Sequence, residues 1–205
     1  MKLLQRYVRQ YKNKIKKGKV VVISAPSGSG KTTICKELLK CNPNLVFSIS
    51  YTTRPAREGE VNGKDYFFVS KDEFLKMVKK KKFVEWAKVY NNYYGTSKEQ
   101  IVNAINSGKD ILLDIDVQGG KNIKKLFPDG IFIFVLPPSW SELKQRITSR
   151  GKDTPAEISK RLRNVNKELS YLRYYDYIVI NDDLADTVKI INTIISAGKY
   201  RNILN

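Results

Sequence analysis

The chain has 205 residues, 41% apolar and 28% charged, with 38 Lys and Arg against 20 acids and a net charge of +18. These are the values of a globular protein, one large domain or two small ones, and they exclude a mostly disordered chain. No uninterrupted apolar run approaches the ~20 residues of a membrane helix. Two cysteines, Cys35 and Cys41, are too few for a disulfide framework and fit a reducing compartment. Histidine is absent, which excludes His-based triads, imidazole general bases and His-ligated zinc. Catalysis must therefore rest on carboxylates, Lys, Arg, backbone amides or a metal held by oxygen.

The basic balance favours polyanions, and it is uneven. Residues 1–19 hold Lys2, Arg6, Arg9, Lys12, Lys14, Lys16, Lys17 and Lys19 and no acid, 8 of the 18 excess charges. Leu4, Tyr7, Val8, Tyr11 and Ile15 recur there at helical spacing. One reading is a basic amphipathic helix that touches a membrane, a nucleic acid or an import receptor. The plainer reading, a solubilising helix docked on the domain or a partly disordered arm, is preferred. Charges interrupt every candidate for the apolar segment of a secretory signal. We take 1–17 as a basic arm and 201–205 as a tail.

Four Val/Ile/Leu/Phe-rich segments, 20–24, 111–116, 131–136 and 177–180, read as buried parallel strands, because they do not alternate with polar residues. Helical stretches separate them, which is the pattern of an α/β fold with a parallel sheet core flanked by helices. Helix starts are marked by capping-box spacing at Ser70/Glu73, Ser97/Gln100, Ser139/Glu142 and Thr154/Glu157, the last strengthened by Pro155. Gly108 is a helix stop. Residues 47–96 differ: Tyr, Phe and Thr abound, with strand-like pieces at 47–52, 66–69 and 83–87 and a helix at 71–81. This is a small mixed β insertion in a core of 18–46 and 97–200.

Ser24-Ala-Pro-Ser-Gly-Ser-Gly-Lys31-Thr32-Thr33 follows a strand and opens a helix, the context of a phosphate-binding P-loop. Gly28 and Gly30 permit turns that aim N–H groups at phosphate oxygens, and the helix adds its positive N-terminus. Lys31 suits the β- and γ-phosphates, and the Thr32 hydroxyl suits Mg²⁺. Ala25 stands where the pattern has its first Gly. The segment 111–116 ends in Asp114 and Asp116, carboxylates at the ligand-binding edge of a parallel sheet. Asp114 with Thr32 is the expected Mg²⁺ site, reached through water.

The segment Thr52-Thr-Arg54-Pro-Ala-Arg57-Glu-Gly-Glu60-Val-Asn-Gly63-Lys-Asp-Tyr66-Phe-Phe68-Val69 resembles the signature of guanylate kinases. So do Phe83-Val-Glu85-Trp86-Ala87, Asn92-Tyr-Tyr94-Gly95-Thr96, Asp114-Ile-Asp116-Val-Gln118-Gly119 and Asn181-Asp-Asp183, so that the resemblance spans about 18–200. It implies ATP + GMP = ADP + GDP, in purine metabolism and GMP recycling, with Mg²⁺, in the cytoplasm. ATP would meet Ala25, Pro26, Ser27, Gly28, Ser29, Gly30, Lys31, Thr32, Thr33, Asn181 and Asp182. The GMP phosphate would meet Arg54, Arg57, Tyr66 and Tyr94. Guanine would meet Glu85, Asp116, Ser50 and Thr96, a carboxylate accepting from N1–H and the 2-amino group while hydroxyls donate to O6. A helical lid about 146–163 would bring Arg146, Arg150 and Arg161, which join Lys31 and Arg54 as the catalytic set. Arg163 is read as a solvated charge, Trp86 and Trp140 as packing residues, both cysteines as structural. Tyr51 and Ala56 are minor departures from the family.

The partners expected are ATP and GMP, with no specific nucleic acid, no membrane, and a monomer or homodimer. A non-catalytic scaffold would lose Lys31 and Thr32, which are present. A kinase for another acceptor, such as a ribose phosphate, would not need the guanine-reading set. For a nucleic-acid binder there is charge but no groove-reading helix motif or RNA-binding aromatic signature.

Overall fold

The computed structural model describes residues 2–89, 91–149 and 155–201. In chain order the elements are α1 (Lys2–Ile15), β1 (Val20–Ser24), α2 (Lys31–Cys41), β2 (Leu45–Phe47), β3 (Tyr51–Thr52), β4 (Phe67–Phe68), α3 (Lys71–Lys79), β5 (Phe83–Val89) and β6 (Asn92–Ser97). They continue with α4 (Lys98–Asn106), β7 (Asp110–Asp114), α5 (Val117–Leu126), β8 (Ile131–Leu136), α6 (Trp140–Thr148), α7 (Pro155–Leu169), a 3-10 turn at Leu172–Tyr174, β9 (Tyr177–Ile180) and α8 (Leu184–Gly198).

A five-stranded parallel sheet has the order β2-β7-β1-β8-β9. All of β1 and residues 131–135 of β8 are buried, as expected of strands covered on both faces. The expected run of four fully buried strands fails at β9. It is an edge strand, and Ile178 and Ile180 stand exposed while Val179 is buried. The strand expected at 111–116 stops at Asp114. Asp116 leaves the ladder because its carboxylate is needed as the N-cap of α5, where it accepts from the amides of Gln118 (2.7 Å) and Gly119 (3.2 Å).

The segment expected as one strand at 47–52 is split. The apolar Leu45–Phe47 pairs parallel with β7, while Tyr51–Thr52 joins a second sheet of order β4-β3-β6-β5. β6 had no clear signal in its polar sequence. It forms because β3 and β5 pair with it antiparallel. Ser70, Ser97 and Ser139 cap α3, α4 and α6 by accepting from the amides of Glu73, Gln100 and Glu142, as the spacing predicts. Such caps are worth ~1 kcal/mol each. The Thr154 cap lies outside the described residues. Gly108 follows α4 at φ 76°, a left-handed stop.

The chain forms two compact units. The first comprises the chain up to Val20, Asn44–Leu113 and Lys199 onward, and so contains the whole 47–96 segment. Its small sheet is organised by aromatic rings. Phe74 stacks on Phe83 at 4.7 Å and on Tyr93 at 5.5 Å, and Tyr51 stacks on Phe67 at 4.7 Å. Gly95 is required here, since a Cβ would meet Phe83 at 2.9 Å. Asp110 is buried, and the Lys19 amide (2.9 Å), Asn44 (3.4 Å) and the Lys199 ammonium (3.2 Å) satisfy its carboxylate.

The second unit is Val21–Pro43 with Asp114–Gly198. Ile34 and Leu38 of α2, Ile123 of α5, and Ile191 and Ile195 of α8 are buried with β1 and β8. Each such side chain contributes about 1.5–3 kcal/mol. Leu143, Ile147 and Val165 join α6 to α7, with Ile158, Leu162 and Leu169 packed around them.

Candidate active site

In the second unit β1 ends at Ser24 and the loop 25–30 delivers the chain into α2. The loop is held from several sides. Gly28 (φ 95°) lies so near α6 that a Cβ would meet Ile147 at 2.8 Å. Gly30 (φ 86°) leaves room for Asn181, whose amide donates to the Ser29 carbonyl at 2.8 Å. Arg161, from α7, donates to the Ser27 hydroxyl at 2.8 Å. Ala25 is buried and its φ is not positive, so no glycine is needed at this position.

Lys31 donates to the Ile115 carbonyl at 3.0 Å and pairs with Asp114 Oδ1 at 2.7 Å. Burial opposes the ammonium charge, but the Asp114 carboxylate outweighs it and holds the Lys31 pKa above its ordinary value. The Thr32 hydroxyl faces Asp114 Oδ2 at 3.5 Å. Thr32 and Asp114 thus present hard oxygen donors side by side at a strand end. That fits Mg²⁺, which is bound by one or two protein groups and completes its shell with water and phosphate oxygens. Nothing resembling a dedicated metal cage exists among the described residues.

The first unit holds the other set. Arg54 NH2 pairs with Glu60 Oε1 at 2.8 Å, and NH1 donates to the Pro55 carbonyl at 2.7 Å. Glu60 Oε2 accepts from the Arg57 amide at 2.7 Å, so one carboxylate organises both arginines' segment. The Arg54 hydrogen bond pulls the Glu60 pKa below the usual carboxylate value, and the same bond raises that of Arg54. The Arg54 guanidinium stands over the Tyr66 ring at 5.5 Å, and Tyr66 meets Tyr94 edge-on at 6.1 Å. Thr96 is buried on β6 and donates its one hydroxyl proton to Glu85 Oε1 on β5 at 2.6 Å. Ser50 is half-buried, and its carbonyl accepts from the Phe67 amide.

A guanylate kinase family profile matches residues 17–198. The chain is 50% identical over 187 residues to the guanylate kinase of Clostridium tetani, covering 91% of this chain and 89% of that one. It is 49% identical to that of Clostridioides difficile over 195 residues, 93% and 95% of the two chains. The crystal structure of guanylate kinase from Anaplasma phagocytophilum superposes with a TM-score of 0.77 at 32% identity, covering 91% of this chain and 89% of that one. The chain belongs to the guanylate kinase family.

With the family fixed, the sequence-derived residues fall into three groups. Lys31, Thr32, Asp114, Asn181, Arg161 and the loop 25–30 gather at the end of β1. Arg54, Arg57, Tyr66, Glu85, Tyr94 and Thr96 lie in the first unit. Arg146 pairs with Glu142, one helical turn back, at 2.8 Å. Arg150 and most of the expected lid turn lie outside the described residues. Asp182 is exposed. Trp86 and Trp140, read as packing residues, both stand largely exposed, Trp86 leaning on Tyr93. Cys35 is buried, and burial pushes its thiol pKa well up, as suits a structural residue; Cys41 is exposed.

Two carboxylates that touch these groups have no role assigned from the sequence. Glu60 had a signal, its place six residues after Arg54, but a partner on the same loop is not read from spacing alone. Glu168 of α7 had none. Its carboxyl accepts from the Ser27 amide, and burial raises its pKa against the pull of Lys31.

Proposed function

We propose that the chain transfers the γ-phosphoryl group of ATP to GMP, giving ADP and GDP. Two sets of groups support the reading: a backbone cradle that ends in Lys31, and a separate carboxylate–hydroxyl pair suited to guanine. In this reading residues 25–33 hold the ATP phosphates through amides and the Lys31 ammonium, which Asp114 keeps protonated. Arg161 reaches the same loop, and Arg146 and Arg150 add charge in the lid about 146–163. Asn181 fixes the loop from behind, and Asp182 lies beside it on the adenine side. Thr32 and Asp114 would hold Mg²⁺, through water for Asp114. When bound, the metal neutralises charge on the transferring phosphates.

Arg54 and Arg57 grip the GMP phosphate as planar forks, with Tyr66 and Tyr94 adding neutral donors. Glu85 accepts from guanine N1–H and the 2-amino group. Thr96 holds that carboxylate in place, Ser50 supplies a donor for O6, and Asp116 adds an acceptor. Adenine has an acceptor at N1 and no 2-amino group, so it would offer Glu85 no donor. Sites built on such hydrogen bonds discriminate by about 10⁴–10⁵. Phosphoryl transfer needs positioning and charge neutralisation rather than a histidine base, so the absence of histidine is no obstacle.

The decisive test is ADP release from ATP and Mg²⁺ with GMP, AMP, CMP and UMP. Turnover with GMP alone is expected. Equal turnover with AMP would overturn the roles of Glu85 and Thr96. No turnover with any nucleotide, from folded protein that still binds ATP, would move the acceptor to another phosphorylated compound.

A further inference from the structure

The helix α1 lies outside the segment that matches the family, and nothing in the proposed reaction uses it. At 100° per residue, Leu3, Leu4, Tyr7, Val8 and Tyr11 fall within one arc of about 140°. Leu3 is 64% exposed and Leu4 70%, and Tyr7 and Val8 are also exposed, while Tyr11 is half-buried. Other exposed large apolar residues in the described chain are mostly spread over separate elements; these follow one another along a single ridge. The opposite arc carries Lys2, Arg6, Arg9 and Lys12 with Gln5, Gln10 and Asn13.

The charge is of one sign. No acid occurs before Glu37, and no acid occupies the first turn of α1, where the helix dipole would favour one. A helix tuned to stand alone in water would carry acids there and mixed charge pairs along its face.

We infer that α1 is a docking helix for an anionic lipid surface. Its apolar ridge would enter the boundary between headgroups and acyl chains, and its flanking cations would lie among anionic headgroups. The helix is 14 residues long, about 21 Å at 1.5 Å per residue, and none of the described helices is long and apolar enough to cross a membrane. It lies on the surface rather than spanning it. The inference departs from the sequence-based expectation of no membrane partner.

The competing occupants match less of the helix. A nucleic acid would use the cations and leave the ridge in water. A second copy pairing ridge to ridge would bring cations together along both sides of the seam with no acid to meet them.

The test is cosedimentation of the full chain with vesicles of phosphatidylglycerol and phosphatidylcholine, against vesicles of phosphatidylcholine alone. Binding to the first and not the second is expected, weakening as salt is raised. Leu4→Glu with Val8→Glu should abolish it. Arg6→Gln with Arg9→Gln should lower partitioning by about fivefold per cation, roughly 30-fold together. Both double variants should keep the thermal midpoint of the parent, which separates lost binding from lost fold. Absence of binding to anionic vesicles would overturn the inference. So would binding that survives Leu4→Glu with Val8→Glu, since the rest of the basic surface would then suffice. Duplex nucleic acid bound through Arg6 and Arg9, or a dimer lost in Leu4→Glu with Val8→Glu, each without vesicle binding, would replace it with the corresponding partner.

Discussion

The loop 25–30 and the segment 51–97 both serve phosphate-bearing ligands in the proposed reaction, and they are built differently. The loop relies on main chain: glycines at positive φ, amides opening α2, and neighbours such as Asn181 and Ile147 that fix the backbone. The segment 51–97 relies on side chains paired with each other, Arg54 with Glu60 and Glu85 with Thr96, on a sheet whose β3 and β4 are two residues long. A backbone cradle tolerates exchange of side chains that are not aimed at the ligand, which is why Ala25 is accommodated. A side-chain site fails when one member of a pair is lost, because the other is stranded.

Substitutions can break this comparison. The largest effect is expected at Lys31, the main side-chain charge of the cradle. Lys31→Ala should lower kcat about 10²–10³-fold, the cost of removing one donor to developing charge, while circular dichroism shows the fold intact. Arg54→Ala should act mainly on KM for GMP, raising it about tenfold to a hundredfold, as expected for loss of a charged hydrogen bond of ~1.5–3 kcal/mol. It also takes from Glu60 its ion-pair partner, leaving the hydrogen bond from the Arg57 amide. An equal fall in kcat for both variants, with KM unchanged in the second, would erase the distinction between cradle and acceptor set.

The smallest effect concerns acid stability. Because Arg54 holds the Glu60 pKa down, the folded state prefers the ionised carboxylate. The stability this adds is complete above the unfolded carboxylate pKa of about 4.3 and is lost as pH falls through the lower folded value. Glu60→Gln should therefore remove about 0.5–1 kcal/mol at neutral pH, the range of a partly exposed ion pair, and nearly nothing at the acid end. Thermal melts across that range would show the two curves converging. Parallel curves would mean that Glu60 has no linked proton.

Much of the local structure was legible because it is written in contiguous residues. Ser70, Ser97 and Ser139 carry their caps three residues ahead of the partner amide, and Gly108 marks its own stop. The P-loop is legible for the same reason: strand, turn residues and helix start follow without interruption. β6 was missed because Asn92–Ser97 has little strand signal without β5 and β3 beside it. Arg146 pairs with a glutamate one turn away, an i,i+4 contact, and its proposed place at phosphate rests on the family resemblance.

The resemblance to the family implied the arginines, tyrosines and acids expected at GMP, while the sequence by itself determined the strands that hide in the core, the cradle for phosphate and the basic amphipathic α1. These follow from residue chemistry at short spacing, where chain geometry leaves little choice. Only the tertiary structure decided that Asp116 caps a helix, that Thr96 gives its proton to Glu85, that Asn181 holds the Ser29 carbonyl and that Ile178 and Ile180 face outward. Each depends on a donor, an acceptor or an edge position brought in by a different part of the fold. A hydroxyl proton or a carboxylate lone pair goes to whichever partner packing places within reach.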